Sequence, residues 1–125
     1  MTGRESEPGQ QAIRPRAGAL VAINLADEAA KLGQAGAVHD RQSMSLVKNG
    51  PLNVLLIALK KDAELSEHRT RGPIAVHVLS GVIRFNAEGQ EVTLSSGCML
   101  ALDREVAHSV TALENSSVLL TTAIA

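Results

Sequence analysis

The sequence predicts an all-β barrel or sandwich, and three observations carry that prediction. From about residue 38 onward, short runs rich in Val, Leu, Ile and Thr follow one another, about eight in all. Turn-forming pairs punctuate them at close intervals: Asn49-Gly50, Gly72-Pro73, Glu88-Gly89 and Ser96-Gly97. No helical pattern alternates with the strands, which argues against a parallel α/β sheet.

The elements follow in order. Residues 1–18 hold Gly3, Pro8, Gly9, Pro15 and Gly18 among charges and glutamines, the composition of a mobile tail. The folded domain is expected over 19–125. Arg14 and Arg16 precede the apolar run 17–23, a weak echo of a signal sequence that Asn24 cuts short. A short helix is expected at 24–33, with Asn24 as cap, Asp27 and Glu28 in its first turn, and Gly33 ending it in the left-handed conformation. Leu25, Ala29 and Leu32 share one face of it, suiting a lid or clasp over a barrel end.

Strands are expected at 43–48 and 52–60, joined by a hairpin turn at Asn49-Gly50. The polar residues Asp62, Ala63 and Glu64 follow as a turn. The stretch 67–81 then places His68 at the end of an extended segment, turns at Gly72-Pro73, and runs as a strand to Gly81. Further strands are expected at 82–86, 91–94, 98–102, 106–113 and 117–124.

Composition limits what such a barrel does. The chain has 125 residues, enough for one domain with a modest core. Phe85 is the lone aromatic residue, with no Tyr or Trp. The core must be aliphatic, stacking platforms for sugars or bases are disfavoured, and a tyrosine acid is excluded. Twelve basic against thirteen acidic residues, with no basic block beyond Lys60-Lys61, argue against a nucleic-acid partner. No apolar run approaches a membrane span, so no membrane partner is expected. Cys98 has no partner for an internal disulfide, which fits a reducing, cytoplasmic compartment. Cys98, Met44 and Met99 are expected as core residues. No phosphate loop, serine elbow or zinc-finger spacing occurs.

Residues 52–121 resemble a small single-domain cupin, a double-stranded β-helix or jelly-roll barrel. The family's first motif is Gly, five residues, His-x-His, three or four residues, Glu, six residues, Gly. His68 falls on its first histidine and Gly81 on its closing glycine. The second motif is Gly, five residues, Pro-x-Gly, two residues, His, three residues, Asn. Gly97 and His108 fall on its glycine and histidine. Asp62 stands where the first motif opens with glycine, Thr70 replaces its second histidine, and Ile74 its glutamate. Asp103, Glu105 and Ala112 replace the second motif's proline, glycine and asparagine.

The resemblance implies a pocket lined by His68, Thr70, Ile74, Val76 and His108. In the family three histidines and a glutamate hold Fe, Mn, Ni or Zn. Here two of those positions survive as candidate metal ligands, His68 and His108. Alternation from Ile74 turns Val76 and Val78 inward and sends Ala75, His77 and Leu79 outward, so His77 belongs to the surface or a subunit interface. A bulge would reverse that and offer His77 as a third donor. His39 is expected in a solvated loop. Glu67 and Glu105 suit the rim, and Arg69 and Arg71 bracket Thr70 there. The expectation is therefore a cytoplasmic small-molecule-binding or sensing barrel with a degenerate metal site, forming a homodimer. The competing expectation is a metal-dependent oxygenase or isomerase that recruits a third ligand for a divalent metal.

Overall fold

The structure is a computed structural model that describes residues 19–35 and 39–124. The expected tail, 1–18, lies outside the described residues. Helix α1 spans Leu25–Ala35. Its cap is Asn24, whose Oδ1 accepts from the Asp27 amide at 3.0 Å. Gly33 does not end the helix: it has no positive φ, and the helix runs on through Ala35.

Nine strands follow among the described residues: β1 (Arg41–Asn49), β2 (Leu52–Leu59), β3 (Glu64–His68), β4 (Ile74–Ser80), β5 (Val82–Ala87), β6 (Gln90–Ser95), β7 (Met99–Leu102), β8 (His108–Ala112) and β9 (Ser116–Ala123). They form a five-stranded sheet, β1-β2-β9-β4-β7, and a four-stranded sheet, β3-β8-β5-β6. Every pairing is antiparallel. The extended segment before Gly72-Pro73 proves to be a separate strand, β3, in the opposite sheet from β4.

The first hairpin turn sits one residue later than expected. Asn49 already pairs with Leu52, leaving Gly50-Pro51 as the loop. Gly50 has a φ of 59°, and proline's ring forbids a positive φ at the next position. That combination suits a turn with glycine first, not the Asn-Gly type.

Two cores result. Between the sheets, Leu59, Ile74, Val76, Val78, Ile83, Phe85 and Val118 interdigitate. On the outer face of the five-stranded sheet, Leu32 of α1 packs with Met44, Leu46 and Leu56. The helix therefore covers strands β1 and β2 from outside and is not a clasp over a barrel end. The run 52–59 serves both cores: Ile57 and Leu59 turn to the sheet interface, Leu56 and Val54 to the helix.

Two expected core residues lie at the surface. Cys98 is exposed in the turn before β7. Met99, 59% exposed, shares the outer face with His77 opposite it. Strand β7 is the sheet edge farthest from β1, whereas α1 packs on the same outer face at the opposite edge, over β1 and β2, and so leaves Met99 uncovered.

Candidate functional site

Strands β3 and β8 carry the site. They are neighbours, and His68 pairs directly with His108. The register slips by one residue between Leu65 and His68. Without that bulge Glu67 would face His108; with it, Leu65 and His68 share the inward face although they are three apart. The bulge is what puts an imidazole, and not a carboxylate, beside His108.

The two rings lie with centroids 4.2 Å apart and planes at 60°. His108 also stacks on Phe85, at 5.4 Å and 9°. His108 is 4% exposed, while His68 stands in the open at the mouth. The same local bond holds both rings. Nδ1 of His68 lies 2.9 Å from the Ser66 carbonyl, and Nδ1 of His108 lies 2.9 Å from the Val106 carbonyl. A carbonyl oxygen only accepts, so each Nδ1 carries the proton and donates. In the neutral ring that leaves the lone pair on Nε2. Burial pulls the His108 pKa below the usual histidine value, and the nearby His68 adds to this, against the raising effect of the Val106 carbonyl.

Below the pair is a narrow cavity with about 40 Å³ of space for a water-sized sphere. Its walls are Ile57, Leu59, Ile74, Val76, Val118 and Leu120 from one sheet, and Leu65, Ile83, Phe85 and Val110 from the other. His68 and His108 supply its polar groups.

Ile74 and Val76 thus lie in the same wall as the two histidines. Thr70 does not: it is half-buried in the loop above, where its carbonyl accepts from the Glu105 amide at 2.8 Å. Arg69 Nη1 donates to the Glu105 carbonyl at 2.9 Å. These bonds clip the loop after β3 to the loop after β7 at the mouth. His77 is on the opposite face of β4, paired with Leu119 and Met99. His39 is exposed and lines a separate cleft of about 360 Å³ with Asp40, Leu59, Lys60, Ser80 and Asn115. Sequence reasoning passed over Leu65 and gave Phe85 no place in the site; its rarity was the available signal.

The residues present do not fit the metal centre that the resemblance implies. Among the described residues no group of three or more His, Cys, Asp or Glu is placed to hold an ion. The cavity offers two imidazoles, Ile74 offers no donor, and Thr70 lies outside the wall.

The backbone, by contrast, follows the motifs closely. At the four positions where they carry glycine, φ is positive throughout: 74° at Asp62, 88° at Gly81, 90° at Gly97 and 61° at Glu105. Only glycine adopts this region without cost, so two side chains have been accommodated in a backbone shaped for none.

No family model matches the sequence. No curated protein matches it either. Solved structures do match by shape. A cupin superfamily protein from Desulfitobacterium hafniense is 18% identical with a TM-score of 0.67, covering 70% of this chain and 80% of its own. An RmlC-like cupin from Shewanella frigidimarina is 22% identical with a TM-score of 0.66, covering 69% and 78%. Salicylate 1,2-dioxygenase from Pseudoaminobacter salicylatoxidans is 17% identical with a TM-score of 0.64; the match covers 78% of this chain and 32% of the dioxygenase. At these identities the likeness is one of fold, and the fold is shared.

Proposed function

We propose that this chain, whose fold is that of the cupins, is a small-molecule-binding or sensing module. Its ligand sits in the cavity between the sheets and meets His68 and His108. The observation that carries this is the facing histidine pair at the head of an otherwise apolar cavity. A pocket of apolar walls with a few convergent polar groups is the usual form of a small-molecule site. Two imidazoles, each held through Nδ1 by a backbone carbonyl, are preorganised to orient a ligand. The cavity is small, so the ligand is small or inserts only one end.

The competing class is a metal-dependent enzyme that recruits a third ligand. The fold shared with a dioxygenase keeps that class in view. The two part on metal content. Protein purified without a histidine tag or added metal should contain no stoichiometric Fe, Mn, Ni or Zn by elemental analysis. Native mass spectrometry should reveal a retained organic ligand, or added ligands should perturb the cavity methyl resonances. Stoichiometric metal that disappears in His108→Ala would sink the binding reading in favour of the enzyme.

A further inference from the structure

Resting on that reading, we infer that the cavity selects a ligand with a hydrogen-bond-donating head, a hydroxyl group on a small apolar body, over carbonyl and carboxylate compounds. The argument begins with the carbonyls of Ser66 and Val106. Each holds a ring through Nδ1 at 2.9 Å, and each can only accept. Both rings are therefore fixed with the proton on Nδ1. With Nδ1 of His108 tied to the Val106 carbonyl, Nε2 is the ring nitrogen left to meet a ligand in the cavity that His108 lines. It arrives as an acceptor. The rest of the cavity wall is aliphatic apart from Phe85. The lumen thus offers acceptors and no donor.

A polar group enters such a space only if it finds a partner there. A hydroxyl hydrogen satisfies an Nε2 lone pair. A ketone brings a second acceptor to a wall of acceptors. A carboxylate brings a charge that only a proton taken up on Nε2 would meet, the costliest case at pH 8. A divalent cation would meet two nitrogens but no carboxylate in the cavity wall, so its charge would stay uncompensated. Size sets the body. One water needs roughly 10–15 Å³ of such space, so the 40 Å³ here holds a group of about three or four heavy atoms. Short secondary alcohols, or the hydroxylated end of a longer molecule, meet both conditions.

Three probes of equal size separate the cases: propan-2-ol, acetone and acetate. Each is titrated at pH 8 into the full chain, reading cavity methyl resonances and the ring nitrogens of His108. Propan-2-ol should bind at least fivefold more tightly than acetone, shifting the Nε2 resonance of His108, and acetate should leave both untouched. His108→Phe, which keeps an aromatic ring on Phe85 but removes the acceptor, should erase the preference for the alcohol. His68→Phe, at the exposed position, should weaken it by severalfold and serves as the second variant if His108→Phe misfolds. Acetone or acetate binding as tightly as propan-2-ol would overturn the inference while leaving the binding reading intact. Binding of none of the three would end both.

Discussion

His68 and His108 face each other across the β3–β8 ladder with ring centroids 4.2 Å apart, each tied through Nδ1 to the carbonyl two residues before it. The pair is asymmetric in depth, with His108 buried and His68 at the surface.

Burial lowers the folded-state pKa of His108 below the usual 6.5, with repulsion from His68 adding to it. The unfolded chain therefore binds the proton more readily than the folded one. The stability that depends on neutral His108 is complete above about pH 6.5 and is lost as pH falls through that value toward the lowered one. Urea midpoints measured from pH 8 to pH 5 should fall more steeply in the natural chain than in His108→Gln. Parallel slopes would show that His108 is not the group responsible.

The left-handed residues give a second prediction. Glu105 has a φ of 61° and Asp62 one of 74°. A side chain in this region costs roughly 1–2 kcal/mol, less for Asp, whose short side chain tolerates it. Glu105 clips the mouth through its amide and carbonyl alone, so Glu105→Gly keeps both bonds. It should raise stability by about 1 kcal/mol, and Asp62→Gly by less. Gly81→Ala should do the reverse, because φ is 88° and a Cβ there would run into Ser116 and the Asn115 carbonyl. Thermal midpoints of the three variants check the order.

These positions also show how far the sequence could be read. Strand texture, turn pairs and the spacing of His68, Gly81, Gly97 and His108 carry the barrel, because each reports a local preference. Alternation from Ile74 correctly assigns the inner and outer faces of β4. What local patterns cannot report is which strands become edges: Met99 looks like a core residue until β7 is known to be the last strand of its sheet, and Cys98 until that strand is seen to begin one residue after it. Nor can they report the bulge in β3, since its only trace in the sequence is the odd spacing of Leu65 and His68. Gly33 misled for a different reason: glycine permits a left-handed helix end without imposing one, and α1 runs on through Ala35.

Ile74 offers a direct test of the missing metal centre. It is 5% exposed and lies in the cavity wall with both histidines. Ile74→Glu would add the carboxylate that the resemblance places there, giving three donors around one space. The variant should bind Zn²⁺ or Ni²⁺ roughly tenfold or more tightly than the natural chain by calorimetry. Without metal it should be less stable by at least about 2 kcal/mol, the cost of burying an uncompensated carboxyl group. Equal metal affinity in the two chains would mean that Ile74 and the pair do not converge on one point.

Glu28 carries the last prediction. It lies on the packed face of α1 with Leu25, Ala29 and Leu32, and is 6% exposed. Among the described residues its Oε1 has no hydrogen-bond partner, while Oε2 is 3.7 Å from the half-exposed Lys31 ammonium. Two effects oppose each other there. An unpaired buried oxygen costs about 1–3 kcal/mol. A carboxylate near a helix N-terminus contributes about 0.3–1 kcal/mol in return. The first is larger, so Glu28→Leu should raise stability by about 1 kcal/mol net. Asp27→Ala isolates the smaller effect, since Asp27 is exposed in the same turn, and should lower stability slightly. A Glu28→Leu variant that unfolds more easily in urea than the natural chain would show the reverse balance. The attraction of the carboxylate to the helix N-terminus would then outweigh the cost of its unpaired oxygen.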